Sequence, residues 1–554
     1  MLDSTKRIIL ALCLTALSPW ALFAQGENGT IVGTVVDASG AAVPGTAIMI
    51  KNNETGATIT LTTSEAGQYA SPPLRPGSYT VSAEKQGFRR TLQTISLDVN
   101  QHARVNFDLA VGSVAESTTV TGEAPLLESQ SAALGNVRTT RAINDLPLNG
   151  RNFVQLFHIA TGVIPVGGGP TLGPSASNQV GVMGGSVNGA RPSNNDFRFD
   201  GIQSQDTDQN VLVLIPSADA IQEFKVQTNA MDASFGRNGG GTVNLVIKSG
   251  SNNLHGSAFE FLRNSALDAK NFFDSPTEKI PPFKLNQFGG SIGGPVWRDR
   301  TFFFGDYQGT RLRQAQTYIS TVPTAAFRNG DFSALPLRLF DPATTRTDPT
   351  NPNRVIRDPF PDNKILPGRF NPAGKKLVDL YPPPNRPGIV NNFLFNPVRR
   401  ATIDQFDVRI DHRLGNFGAL FGRYSFSELR AFTPSFLPAP ALGAGPSFPG
   451  NNNTRGQQVA LGYVHTFSPR LIYEGRFGFS RLRLTNDGET SGTKLADQVG
   501  IPGINNEPLT SGLGSISVSG FRGLGEAGFT PLLKVNNNFQ YTQHLTYLRG
   551  QHSF

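Results

Sequence analysis

The second half of this sequence sorts its connections by parity. Eight runs, near residues 254–263, 285–296, 301–312, 402–414, 417–427, 457–467, 471–483 and 536–549, are joined by links that are short and long in strict alternation. The short ones are Trp297-Arg298-Asp299-Arg300, Gly415-Asn416 and Ser468-Pro469-Arg470; the long ones, 264–284, 313–401, 428–456 and 484–535, are rich in Pro, Asn and Gly. Within the runs apolar and polar residues alternate. Phe406, Val408, Ile410 and Leu414 take turns with Gln405, Asp407, Arg409, Asp411 and Arg413, and Tyr473, Phe477 and Phe479 with Glu474, Arg476 and Ser480. A soluble sheet also alternates, but it has no reason to place every tight turn on one side and every long loop on the other. Strands of about ten residues with that parity are what an outer-membrane barrel requires.

The first residues fit the same destination. Lys6 and Arg7 precede an apolar run from Ile8 to Leu17, and a small residue, Ala24, stands before Gln25. A basic, then apolar, then small order is that of a secretory signal peptide, with cleavage expected after Ala24. The run is too short to span a bilayer as a helix. The one cysteine, Cys13, falls inside it, so the exported chain makes no disulfides and relies on strand pairing. A formal charge of +8 raises the question of nucleic acid, but Lys and Arg are interleaved with Asp and Glu and form no cluster. Nucleic acid is therefore excluded as a partner.

Between these regions lie two further patterns. From about Thr30 to Gly112, short β-prone runs are broken by turns roughly every ten residues, as in an all-β sandwich. The blocks Gly33-Thr34-Val35, Val43-Pro44-Gly45, Gly67-Gln68-Tyr69, Pro76-Gly77-Ser78-Tyr79 and Gly87-Phe88 resemble the carboxypeptidase-regulatory-like domain. That resemblance implies no peptidase; it leaves two roles open, carbohydrate contact and a periplasmic spacer or docking module. Farther on come Leu146-Pro147-Leu148-Asn149-Gly150-Arg151-Asn152, Val187-Asn188-Gly189-Ala190-Arg191-Pro192, Phe199-Asp200-Gly201-Ile202 and the Gly-rich strand ending Lys248-Ser249-Gly250. In this order they resemble the plug of TonB-dependent receptors of the Oar-like group. The block from Gly293 to Gly309 resembles the barrel of the same group.

The expected fold is mainly β: an N-terminal β-sandwich, an α+β plug domain and the first part of a transmembrane antiparallel β-barrel. The chain divides into a signal peptide (1–24), the sandwich (29–112), a TonB-box-like segment with the plug (113–250) and a partial barrel (251–554). The resemblance assigns Thr118, Thr119, Val120 and Thr121 as the TonB-box-like segment, by which a TonB-type energy-coupling protein would pull. A short exposed β-prone strand is suited to strand addition; the plainer alternative is a linker strand. The other implied partners are outer-membrane lipid and an unidentified ligand, saccharide, peptide or other, with no ligand-binding residue assignable. The expected place is the outer membrane, with the sandwich in the periplasm.

No enzyme, cofactor or metal site is expected. The seven histidines show no ligand spacing. Asp206-x-Asp208-x-Asn210 begins like a calcium loop, yet Val211 and Ser217 stand where Gly and Glu are needed. Asp196, Asp200, Asp206 and Asp208 read instead as solvated loop carboxylates. The functional expectation is ligand import through a plugged barrel. Its rivals are a surface-structural or adhesive protein and a carbohydrate-binding sandwich protein. Eight strands enclose a lumen filled by their own side chains, whereas a plugged lumen calls for about 22. On this count the chain is expected to be a fragment that aggregates when expressed alone, its strand edges unpaired in lipid.

The first expected outcome concerns processing. N-terminal sequencing of outer-membrane fractions should return Gln25 as the first residue, and an intact Met1 in the cytosol would contradict the reading.

Overall fold

The computed structural model describes residues 28–112, 117–121, 134–146, 148–165, 185–229, 239–270, 280–415, 418–443, 445, 448–468, 471–528, 530–549 and 552–553. The signal peptide (1–24) and the Gly167–Gly181 loop lie outside them. Strands dominate, as the alternation predicted.

The first eight strands are β1 (Thr30–Asp37), β2 (Ala47–Asn52), β3 (Thr58–Thr62), β4 (Gln68–Ala70), β5 (Gly77–Glu84), β6 (Arg90–Leu97), β7 (His102–Arg104) and β8 (Phe107–Leu109). They form two sheets, one of β4-β1-β7 with β8 also on β1, the other of β3-β2-β5-β6. Inward residues such as Ile31, Val35, Ile48, Ile50, Val81, Leu97 and Phe107 fill the space between them. Two of the motifs noted above have a packing reason. The Tyr69 hydroxyl donates to Val105 O at 2.7 Å inside this core, and a Cβ on Gly33 would sit 1.8 Å from that same oxygen. A ninth strand, β9 (Ser117–Thr121), adds to the β6 edge.

The next unit is a mixed sheet with short helices. Strand β10 (Leu134–Thr139) leads into helix Thr140–Asp145, and a short helix Val154–Phe157 follows. β11 (Val163–Pro165) pairs with β12 (Gly185–Val187). Then come β13 (Asp196–Phe199), β14 (Ile202–Gln203), β15 (Ile221–Asn229) and β16 (Thr242–Ile247), in the sheet order β10-β15-β16-β13-β14. Its apolar core gathers Phe153, Phe157, Phe197, Phe199, Phe224 and Leu245, with Phe304 as its one buried contributor from beyond residue 250.

The remaining long strands make one antiparallel sheet. They are β17 (His255–Asn264), β18 (Phe283–Trp297) and β19 (Thr301–Ala315), then β24 (Val398–Leu414), β25 (Gly418–Thr433), β26 (Gly450–Ser468), β27 (Leu471–Asp487), β28 (Leu532–Arg549) and the short β29 (His552–Ser553). The intervening loop holds β20 (Tyr318–Ser320) paired with β23 (Phe393–Phe395), and β21 (Arg346–Asp348) paired with β22 (Asn351–Ile356). All eight sequence-predicted strands are present. Most extend past the predicted limits, because they continue as hairpins into the long loops. Those loops are not loose: helices Pro372–Leu380 and Leu495–Val499 pack with Val322, Tyr381, Leu437 and Leu513 around a separate apolar cluster. The sheet runs from β17 to β29 and is not closed among the described residues.

Its two faces are inverted relative to a soluble protein. Val408 and Ile410 are about half exposed on the outer face, with Phe539, Tyr541 and Leu545. Gln405, Asp407, Arg409, Arg423, Gln458 and Arg476 are buried on the inner face. The mixed-sheet unit lies against that polar side, through contacts such as Gln203 N to Gln540 Oε1 at 3.0 Å. No helix among the described residues is long and apolar enough to cross a membrane; the crossing elements are strands.

A cation on the outer face should be tolerated badly. Val408→Arg should lower stability by roughly 2–4 kcal/mol in urea titrations of protein folded into liposomes, while Val408→Leu should leave it unchanged.

Candidate functional site

The residues that bind the mixed-sheet unit to the barrel wall begin with a two-residue turn. β13 pairs with β14 through Arg198↔Gln203 and Phe199↔Ile202, leaving Asp200 and Gly201 as the loop. Both have positive φ, 50° and 77°. Asp-Gly is the pair that such a hairpin turn prefers, because both central positions need left-handed backbone. The turn pushes the Asp200 carboxylate out of its own domain and into the barrel wall. There Oδ1 meets Arg409 Nη1 at 2.8 Å and Oδ2 meets Arg423 Nε at 2.7 Å. All three side chains are at least 96% buried, the ion pairs having replaced water. Burial pushes the Asp200 carboxyl upward, but Arg409, Arg423 and Arg75 outweigh it and hold the group below the ordinary aspartate range.

Neighbouring strands complete the grip. Arg423 Nη2 donates to Phe199 O at 3.1 Å and to Gln458 Oε1 at 2.8 Å. Arg476 Nη1 donates to Asp200 O at 3.2 Å, and Gln540 Nε2 to Gly201 O at 3.3 Å. A Cβ at Gly201 would lie 1.9 Å from Arg476 Nη1, so glycine is needed here for contact as well as for φ. Strands β24, β25, β27 and β28 thus all touch one hairpin tip, and Gln458 of β26 donates to Gln203 O beside it at 3.2 Å.

The network continues toward the sandwich. Arg409 Nε pairs with Asp411 at 2.9 Å, and Arg75, from the sandwich, reaches the same carboxylate at 2.9 Å. Arg75 Nη2 also donates to Ile247 O at 3.2 Å. Charge therefore links the three units in series: Asp200, Arg409, Asp411, Arg75. A second joint lies at β15, where the buried Glu223 carboxylate accepts from Val99 N of the sandwich. Beside it, Lys225 Nζ donates to Asn100 O at 3.3 Å and Gln222 Nε2 to Pro76 O at 3.0 Å. Burial, with Asp98 nearby, pushes the Glu223 carboxyl up to about 8.

Several sequence expectations find their positions here. The four aspartates read as solvated loop carboxylates do not behave as a set. Asp200 is gripped as described, Asp196 is buried against Arg198 at 2.6 Å, and Asp206 is buried with Lys534 of β28. Only Asp208 is largely exposed, with Lys534 at 2.8 Å. The reason is topological: strands distant in sequence bring cations to Asp200, Asp206 and Asp208, while Asp196 is met by Arg198 of its own strand. Asp206 Oδ1 accepts from Gln209 N at 3.1 Å and Val211 N at 2.9 Å, which ties its own loop together. Among the described residues no group of three or more His, Cys, Asp or Glu is placed to hold a metal ion. Thr118, Thr119, Val120 and Thr121 run parallel to β6, with Thr118↔Thr91, Thr119↔Leu92, Val120↔Gln93 and Thr121↔Thr94. They are not brought to the Asp200 network. The sequence reading singled out neither Arg423 nor Arg75 nor Glu223. The charged, inward half of each alternating strand was the available signal, and it lacked only the identity of the facing carboxylate.

Two of the three units match known families. Residues 246–554 match the family described as "Outer membrane beta barrel domain". Residues 30–110 match "Carboxypeptidase regulatory-like domain". The TonB-dependent transporter Oar of Myxococcus xanthus is 29% identical over 319 residues, which cover 54% of this chain and 28% of that protein. Among solved structures, the outer membrane transporter YddB from Escherichia coli aligns with a TM-score of 0.43 at 9% identity, over 75% of this chain and 45% of that one. The siderophore receptor PirA from Acinetobacter baumannii aligns at 0.40 and 12%, over 76% and 46%. The chain spans less than half the length of each of these three.

The Glu223 joint carries a pH dependence whose sign follows from its raised carboxyl. Folding and docking favour the protonated acid. Their contribution is complete below the ordinary value of 4.5, declines as pH rises and is lost above about 8. Protease protection of the Val99 region should fall over that window in the wild type. In Glu223→Gln, which keeps an acceptor for Val99 N, the slope should vanish.

Proposed function

This chain belongs to the outer-membrane β-barrel family and is a homologue of the TonB-dependent transporter Oar, and on that premise we propose that it imports a ligand across the outer membrane, driven by a TonB-type partner. It is an outer-membrane protein whose sandwich lies on the periplasmic side. The sandwich meets the barrel at the short-turn end, where Arg413 Nη2 donates to Thr58 O at 3.0 Å, and short turns are the periplasmic ones in such barrels.

The single observation that carries the transport reading is the Asp200 grip. The folded unit of residues 134–247 acts as a plug seated against the inner face of the wall by polar and ionic contacts. An obstruction of that kind serves a pore that has to be opened on demand. The segment Thr118–Thr121 is the proposed point of attachment for the partner, as a β-prone strand before the plug. The cargo is left as an unidentified solute.

The test uses the partner and needs no cargo. A photo-crosslinking amino acid at Thr119 should yield an adduct with the TonB-type protein in intact cells. Deleting Thr118–Thr121 should abolish partner capture while assembly in the outer membrane persists. An adhesive protein of the same fold would give no adduct.

A further inference from the structure

We infer that the sandwich is a periplasmic lid, and that it is the first element the partner's pull displaces. The inference rests on the transport reading and assigns a task to a domain that this reading alone leaves idle.

Three observations carry it. First, the partner-binding segment is bonded to the sandwich. β9 is the fifth strand of the sheet β3-β2-β5-β6-β9, with five consecutive partners along Arg90–Thr94. A pull on Thr118–Thr121 is therefore a pull on the edge of that sheet.

Second, the sandwich is docked on both plug and barrel through a set of polar contacts. Arg75 bridges Asp411 of the wall and Ile247 O of the plug. Asn28 Nδ2 donates to Glu474 Oε1 at 3.1 Å, and Asn252 N to Glu54 O at 3.1 Å. With the Glu223, Lys225 and Gln222 contacts these ring the domain's underside. Each can exchange its partner for water, so the dock can come apart without either body losing its own core.

Third, the dock covers a space. Between the sandwich, the plug and the short-turn rim lies a cavity of about 1020 Å³, lined by Arg75, Arg300, Asp411, Arg413, Glu474 and Arg476 among others. Arg409, Asp200 and Arg476 of the plug grip face the same cavity. Solute that passes the plug enters a vestibule whose periplasmic side is the sandwich. Lifting the sandwich also withdraws Arg75 from Asp411. That removes a positive charge that helps hold the Asp200 carboxylate ionised between Arg409 and Arg423, which loosens the plug from its grip. Lid and plug are thus coupled through one guanidinium.

The experiment reads burial in cells carrying the intact protein, using a small thiol reagent that enters the periplasm. Val99 and Ala220 are both fully buried, Val99 under the docked sandwich and Ala220 inside the plug. In Val99→Cys, energised cells with the TonB-type partner should label on the order of tenfold faster than partner-deleted cells, since a buried thiol reacts only from the opened state. A Leu92→Cys/Thr119→Cys pair, at matched Cα positions, should form a disulfide in resting cells. Absence of that disulfide would overturn the inference. So would labelling of Val99→Cys without the partner, because the lid would then be unseated at rest. If energisation exposes Ala220→Cys while Val99→Cys stays protected, the lid is wrong and the transport reading stands. If neither responds, the partner does not act on this chain and the transport reading falls with the lid.

Discussion

The structure depends on one buried carboxylate shared by two arginines from different strands. Asp200 sits between Arg409 and Arg423, all withdrawn from water. Taking such groups out of water is expensive, and a buried pair often does no better than well-packed apolar residues would. What the arrangement does provide is a penalty for wrong seating. If the Asp200 tip is displaced, Arg409 keeps Asp411 but the buried Arg423 loses its nearest carboxylate, and breaking such a buried pair costs about 3–5 kcal/mol in comparable cases. The plug is thereby registered against the wall at one point, and the hydrogen bonds from Arg476 and Gln540 follow from that registration.

That grip is made possible by the inversion of the sheet. In lipid, apolar side chains gain nothing by turning inward, so each strand sends Val408 and Ile410 out and Arg409 and Asp411 in. The polar lumen that results must satisfy its charges internally or with water. Asp407 is met by Ser425, Arg409 lies over the Phe421 ring at 4.3 Å, and Glu474 pairs with Arg476. The plug adds Asp200 to the wall's own Asp407 and Asp411. Sandwich and plug extend the same logic downward, with Asp411 serving Arg409 and Arg75 at once.

Much of this was legible in the sequence, for a definite reason. Strand alternation and loop parity are local properties, so the eight barrel strands could be placed before any contact was known. The Gly67-Gln68-Tyr69 and Phe199-Asp200-Gly201-Ile202 blocks were visible as patterns, though not the jobs they do. Pairings across hundreds of residues were beyond reach. Nothing near Asp200 in the chain says that Arg409 and Arg423 face it, so it was read as a solvated loop carboxylate. For the same reason the parallel pairing of Ser117–Thr121 with β6 could not be anticipated: a β-prone run announces that it will pair, not with which edge. The extended length of the strands was missed because their outer ends, such as Asn451–Asn453 on β26, are polar and carry no membrane signal.

The division between apolar core and polar contact bears on how such an assembly can move. Among the described residues the plug's core is its own, Phe304 being the only buried residue that the barrel adds to it, and the sandwich core draws on none beyond its own strands and turns. Had the units been joined by shared apolar cores, separating them would expose surface at about 25 cal/mol for every Å². Water would resist the motion at each step. Joined instead by ion pairs and hydrogen bonds, the surfaces can be rewetted, and what each bond loses is largely returned by solvent. The assembly is then held in register by the specificity of a few charges while remaining separable by a modest load. A plug built this way can be firm against diffusion and still yield to a directed pull, because the force has to break a short sequence of polar contacts and not a shared hydrophobic core.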